Sequence, residues 1–418
     1  MPLPIALVLA AGLAPLAPLA GPAWARQGAT PPAAPATDAS PSAIEAAAER
    51  GEANAMFRLG QMLAAGKGVA RNDKEAVVWY LRAADKGHAR AMAALGVMYS
   101  KGRGVAASES DAVRWYTLAA NAGEPMAMLA LGARAERGEG VAKDDVAAAA
   151  WYRRAADIGD AQGMRLYAIA LASGRGVAAD DGAATAWFLK SAEGGDVIAA
   201  RESGTRLVVG RGASKDVGAG MKWLKVAALG DDAEAMCALG VVLAGAAPEV
   251  RDDAAAREWF VKAADRGSAS AMYHLGVLAR AGRAIGQNET EAASWFRKAA
   301  ELGDVDGMLH LGLMHADGRG MPRDDAEGFR WIERAAGRGK AEAMLRVSAM
   351  YAEGKGTPAN PIEAYFWALL AERNVASLDR ERAATQRDEL GARLSPETRS
   401  EVEARAAQWR PGQPPDKL

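Results

Sequence analysis

The stretch LGVMYSKGRGVAASESDAVRWYTLAANAG (residues 95–123) holds two helix signals divided by a glycine turn, and the chain repeats it. Ser108 stands three residues before Asp111, so its hydroxyl can accept from the unpaired N–H groups of a first helical turn while the acid reaches back. From there Ala112, Trp115, Tyr116, Ala119 and Ala120 fall at i, i+3, i+4, i+7 and i+8, the stripe of an amphipathic helix, and Gly123 ends it. The preceding Gly102-Arg103-Gly104-Val105 supplies a turn in which glycine takes positive φ and the valine packs inward.

Outward from this stretch, Trp79, Trp115, Trp151, Trp187, Trp223, Trp259, Trp295, Trp331 and Trp367 stand 36 residues apart without a slip. Seven residues before each is a capping residue: Asn72, Ser108, Asp144, Asp180, Asp216, Asp252, Asn288, Asp324 and Asn360. A helix, B, therefore begins at the same place in every unit. A helix A precedes it, with Met56, Leu59 and Leu63 on one face, and Met recurs in that first slot at 92, 128, 164, 236, 272, 308 and 344. Gly60, Gly96, Gly132, Gly204, Gly240, Gly276 and Gly312 sit inside helix A, where each costs about 1 kcal/mol against Ala, a cost explained if another helix backbone passes close by. The reading is an all-α chain: an α/α superhelical solenoid of nine 36-residue helix-turn-helix repeats over 44–371, closed by a C-terminal helical cap over 372–410. The tryptophans are expected at core positions. Ala200, Ser203 and Ala213 depart from the pattern in the fifth unit, and Ala246-Ala247-Pro248-Glu249 and Gly282-Arg283-Ala284-Ile285 depart in the next two loops, so the middle is expected to pack weakly.

The ends read differently. Residues 1–25 carry no charged side chain, run apolar from Ile5 to Leu19 and close on Ala23, Trp24 and Ala25, the form of a secretory signal with an A-x-A cleavage site. Residues 26–43, RQGATPPAAPATDASPSA, read as a Pro/Ala-rich linker, and 411–418 as a frayed tail. A periplasmic or secreted location is expected. Ser395-Pro396-Glu397 starts a helix whose edge is Val402, Ala406 and Trp409, and 379–394 forms another before it. With 51 basic against 52 acidic residues, no net field attracts nucleic acid, and no segment after the first is apolar enough to span a bilayer. The single Cys237 cannot form an internal disulfide.

The pattern L-G-x-x-Y-x-x-G-x-G-V, then an acidic residue, A-x-x-W-Y-x-x-A-A-x-x-G, resembles the Sel-one-like repeat, a relative of the tetratricopeptide repeat. Leu95, Gly96, Tyr99, Gly102, Gly104, Val105, Asp111, Ala112, Trp115, Tyr116, Ala119, Ala120 and Gly123 carry the likeness. The resemblance implies an adaptor of the bacterial envelope, with helix A lining a concave surface that binds a protein partner. It also brings in a second class, a hydrolase of cell-wall or β-lactam substrates, since some cysteine-rich relatives have been credited with such activity. A third class is a polysaccharide-binding module.

Chemistry is sparse. No G-x-x-x-x-G-K-[ST], no H-E-x-x-H and no serine with Lys three residues on occurs, so no catalytic, cofactor or metal residue is assigned. His274 and His310 share a slot on adjacent A helices, where two imidazoles could bridge a metal, but no acidic or thiol ligand falls in that slot, and stacked surface histidines are expected. His315 takes a core-face position. By the tetratricopeptide analogy the position after the Met slot forms the recognition ladder. Its candidate partner-binding residues are Phe57, Leu129, Arg165, Arg201, Cys237 and Tyr273, with a cationic middle suited to an extended peptide or an anionic polysaccharide.

Overall fold

The computed structural model describes residues 40–245, 250–374 and 377–412. The expected signal, nearly all of the expected linker, the Ala246–Glu249 loop and the last six residues lie outside them. The described residues form 21 α-helices and no strand. After α1 (Pro41–Glu49), the A helices are α2 (Ala53–Ala65), α4 (Ala89–Lys101), α6 (Pro125–Arg137), α8 (Ala161–Ser173), α10 (Val197–Val209), α12 (Ala233–Gly245), α14 (Ala269–Ala281), α16 (Val305–Asp317) and α18 (Ala341–Glu353). The B helices alternate with them as α3 (Asp73–Asp85), α5 (Glu109–Asn121), α7 (Asp145–Asp157), α9 (Asp181–Glu193), α11 (Val217–Leu229), α13 (Asp253–Ala264), α15 (Glu289–Glu301), α17 (Asp325–Gly337) and α19 (Pro361–Asn374). Then come α20 (Ser377–Gly391) and α21 (Pro396–Gln408). The chain divides into two compact units, one ending with α11 at Gly230 and one beginning at Asp231 before α12.

Every B helix starts on its expected cap. Asn72, Ser108, Asp144, Asp180, Asp216, Asp252, Asn288, Asp324 and Asn360 each accept the backbone N–H three residues on. A second column, less obvious in the sequence, caps the A helices: His88, Asp160, Asp196, Asp232, Ser268 and Asp304 accept likewise. Such a cap is worth about 1 kcal/mol, so the turns are as well defined energetically as the helices they join.

Two findings correct the expected packing. The core is filled by the residue after each tryptophan: Tyr80, Tyr116, Tyr152, Phe188, Leu224, Phe260, Phe296 and Ile332 are all at most 4 % exposed. Of the nine repeat tryptophans only Trp79, Trp331 and Trp367 are buried, while Trp115, Trp151, Trp187, Trp223, Trp259 and Trp295 are half-buried. Consecutive helical residues point about 100° apart, so the core takes one ring fully and leaves the other on its flank. There a cation one turn on covers it: Arg82, Arg154, Lys190, Lys262, Lys298 and Arg334 lie 4.2–4.6 Å from the rings of Trp79, Trp151, Trp187, Trp259, Trp295 and Trp331.

The mid-helix glycines make room for a ring more often than for a backbone. A Cβ on Gly60, Gly96, Gly240 or Gly276 would stand 2.6–2.7 Å from the ring of Tyr80, Tyr116, Phe260 or Phe296 in the same repeat. In the fifth and eighth repeats an aliphatic residue replaces the ring and a second glycine answers the first. A Cβ on Gly204 would meet the Gly220 carbonyl at 2.8 Å, and one on Gly312 the Gly328 carbonyl at 2.9 Å. The fifth repeat is thus tightly packed, with Ala200 and Ser203 buried, contrary to expectation.

Neighbouring repeats are joined by their loops. The second loop glycine, at 104, 140, 176, 212, 320 and 356, lies so close to the first carbonyl of the preceding B helix that a Cβ would overlap it. The residue after the first loop glycine reaches the same helix start: Arg103 pairs with Asp73, Arg211 with Asp181, Arg283 with Asp253 and Arg319 with Glu289. Those arginines hold the Asp73 and Asp253 carboxyls down at about 2.

Both ends keep the 36-residue beat imperfectly. Helix α1 begins at Pro41, inside the expected linker, and is half a repeat: Ile44, Ala48 and Gly51 stand 36 residues before Tyr80, Ala84 and Gly87 and do the same work. Helix α20 starts 36 residues after α18, and α21 buries Val402, Ala406 and Trp409 as expected. Arg405 of α21 pairs with buried Glu363 at 2.7 Å and lies 3.7 Å over the Phe366 ring.

Candidate functional site

The six ladder residues sit on the A helices, but mostly in the seam between repeats. Arg165 is 3 % exposed, and its Nε donates to Asp196 at 2.9 Å while Asp196 also caps α10 through Ala199. Cys237 is 2 % exposed, and burial pushes its thiol up to about 12. Arg201 lies 3.6 Å from Glu202. Phe57, Leu129 and Tyr273 are half-buried, and the remaining rungs Ala93, Leu309 and Leu345 are buried. Arg165 is consumed by an ion pair inside the protein, and a charge buried with its partner is unavailable to a ligand, whereas Arg201 is half-buried. In the first five repeats the slot after the ladder is partly exposed, whereas in the next two it is filled by buried Ala238 and His274.

The outward face of the first repeats is a groove in the N-terminal unit. It has a volume of about 960 Å³ and is lined by α1, α2, α4 and the start of α6. Its walls are Ile44, Ala47, Phe57, Ala94, Val97 and Met126, with Met126 51 % exposed. Polar groups stand among them. His88 Nδ1 accepts the Ala91 N–H at 3.1 Å, so its Nε2 carries the proton and donates to Asn54 Oδ1 at 3.1 Å. Phe57 stacks on that imidazole at 4.6 Å, and burial lowers the His88 pKa. Arg90 and Glu124 pair across the rim at 3.7 Å, and Arg103 is held by Ala64 and Asp73. The result is an apolar trough with neutral hydrogen-bonding groups and balanced charge, chemistry that suits the apolar side chains and amides of a polypeptide. Of the six expected residues, only Phe57 lies in it.

The residues that the ladder missed follow the same period. Arg58, Ala94, Ala130, Leu166 and Glu202 occupy the slot after the ladder, and Val97, Ala133, Ile169 and Thr205 lie one turn further on; all are partly exposed. Their signal in the sequence is variability within a strict period.

The histidines also differ from expectation. His274 is 4 % exposed, with neither ring nitrogen hydrogen-bonded, and it stacks on Phe260 at 5.0 Å. His315 is buried and unpartnered as well. His310 is half-buried between Tyr273 and Phe296. These are packed rings, not surface histidines. Among the described residues no group of three His, Cys, Asp or Glu is placed to hold a metal ion, and no helix is long and apolar enough to cross a membrane.

Comparison with known proteins places this geometry. A family model described as the Sel1 repeat matches nine consecutive segments: 53–88, 89–124, 125–160, 161–196, 199–232, 233–268, 269–304, 305–340 and 341–374. Among solved structures, a Sel1 repeat protein from Oxalobacter formigenes is similar at 28 % identity and a TM-score of 0.57, covering 74 % of this chain and 90 % of its own. A protective antigen present in uropathogenic Escherichia coli strains, described as displaying an SLR fold, is similar at 26 % identity and a TM-score of 0.55, covering 87 % of this chain and 85 % of its own. No curated protein matches.

Proposed function

Because the chain belongs to the Sel1 repeat family, we propose that it is a non-enzymatic scaffold of the bacterial cell envelope which holds a segment of a partner protein along the outward face of its first A helices. The repeat fold suits protein binding, and the observation that supports this site is the groove of about 960 Å³ with Phe57, Val97 and Met126 in its walls. A trough of that size accepts a few side chains of an extended segment, and Asn54 and Gln61 stand where main-chain amides would pass. The envelope location rests on residues 1–25, whose apolar run and A-x-A ending have the form of an export signal.

The test is site-specific. A photoreactive side chain at Gln61 or Met126 should crosslink a discrete partner in intact cells, and one at Leu302, exposed on the other unit, should not. Val97→Arg should abolish that adduct and leave the helical circular dichroism unchanged. Equal crosslinking from Leu302, or an adduct that survives Val97→Arg, overturns the site. Recovery of the protein only in the cytoplasmic fraction overturns the envelope assignment.

A further inference from the structure

The seventh and eighth repeats contain two imidazoles placed where neither can take up a proton without cost. His310 of α16 has Nδ1 at 3.2 Å from Arg280 Nη1, and a guanidinium only donates, so Nδ1 is the unprotonated nitrogen. The proton sits on Nε2, directed to Tyr273 Oη at 3.4 Å. Protonating Nδ1 would set two cationic N–H groups against each other across that 3.2 Å contact. His274 of α14 has no hydrogen bond on either nitrogen and lies face to face with Phe260, with an interplanar angle of 18°. An imidazolium there would be a buried charge without a partner.

We propose that this pair is an acid-responsive latch: protonation of His274 and His310 expels them from the α14–α16 seam and opens repeats seven and eight locally, while the first unit stays folded.

The surrounding charges fix the direction. His310 faces Arg280 from α14, Asp306 from its own helix, and Lys340 and Glu342 from the start of α18; Lys340 and Asp306 are paired with each other at 2.5 Å. His274 faces Asp306, and α12, which also packs on α14, carries a single charge, Glu234. His315, further along α16, faces Arg297, Glu327 and Asp324. Burial is the leading cause at His274 and His310 and brings both down to about 4 from 6.5. The folded repeats thus stay neutral while the opened ones take up protons, and stability present above pH 6.5 is lost as the pH falls toward 4. At pH 5 each ring favours opening by about twenty-fold relative to neutral pH. Asp304, the cap of α16, opposes this: burial raises it from 3.8 to about 6, so it takes up a proton in the folded state and returns about ten-fold. The two rings outweigh the one carboxyl.

Amide hydrogen exchange on the full chain at pH 7 and pH 5, corrected for intrinsic rates, reads the opening directly. Protection in α14 and α16 should fall at least ten-fold at pH 5, with α6 and α7, which carry no histidine, unchanged. His274→Leu with His310→Gln should abolish the fall in protection at pH 5, and His310→Gln alone should reduce it to a few-fold, because the opposing effect of Asp304 is unchanged. Asp304→Asn, which keeps a capping oxygen, should enlarge the loss. In the parent the two imidazole ring protons should titrate by NMR below pH 5. Unchanged protection at pH 5, an equal loss in the double substitution, or ring midpoints near 6.5 would overturn the latch.

Discussion

Trp151 and Tyr152 are neighbours in sequence and unequal in the fold. Tyr152 is 3 % exposed and its hydroxyl donates to Glu136 at 2.9 Å, whereas Trp151 is half-buried beneath Arg154. Tyr152→Ala should therefore cost about 3 to 5 kcal/mol, the range of a buried aromatic truncation. Trp151→Ala should cost about 1 to 2, since a flank ring loses part of its burial and a cation contact worth about 0.5 to 1 kcal/mol. Urea denaturation of the two variants checks the order, and a larger loss at Trp151 would contradict it. The sequence shows both columns with equal force because periodicity marks a face about two residues wide. Which of the two enters the core depends on the facing helix, whose glycine notch at 60, 96, 132, 240 or 276 accepts the second ring. The same ambiguity hid that Arg165 turns inward to Asp196.

At the scale of the element, local chemistry was legible and contacts between repeats were not. Caps such as Asn72 and Ser108 act within their own turn, so a residue type at a fixed offset from Trp suffices to find them. The loop glycines carry two meanings that sequence does not separate. Gly102 has φ +62 and ends α4, whereas Gly104 must also approach the Asp73 carbonyl of the repeat before. Gly104→Ala should cost about 2 kcal/mol or more, from left-handed backbone strain and that overlap. Gly337→Ala, in a helix with open space around it, should gain a few tenths of a kcal/mol up to about 1. Denaturation midpoints moving in the same direction for both would refute this division. Ala284 shows the strain in the natural chain, with φ +68 where other repeats have glycine.

For the whole molecule, the division at Gly230 falls at the end of a repeat, where Asp231 has φ +70 in the slot held by glycine in other repeats. The first unit comprises half a repeat and five whole ones, with buried apolar residues in every helix from Ile44 to Ala228. A chain of residues 40–230 should keep its helical circular dichroism and melt cooperatively, because repeat stability is a sum over units and their neighbours. A fragment without a thermal transition would show that it needs the C-terminal repeats to fold. The repeat count and the helical class were readable from a period that nine tryptophans keep without error. The groove was not, because it needs α1, whose match to the pattern is confined to Ile44, Ala48 and Gly51.

The glycine notch and its ring, Gly60 with Tyr80 or Gly276 with Phe296, lie within one repeat, whereas the loop arginine and its acid, Arg103 with Asp73, lie in two. Lengthening or shortening such a chain by duplication is therefore governed by the seam alone. A copied module carries its own interior wherever it lands, and it joins smoothly wherever the acid at one border meets the arginine at the next. Genes of this kind can change the length of the structure they encode by whole 36-residue steps without designing a new core.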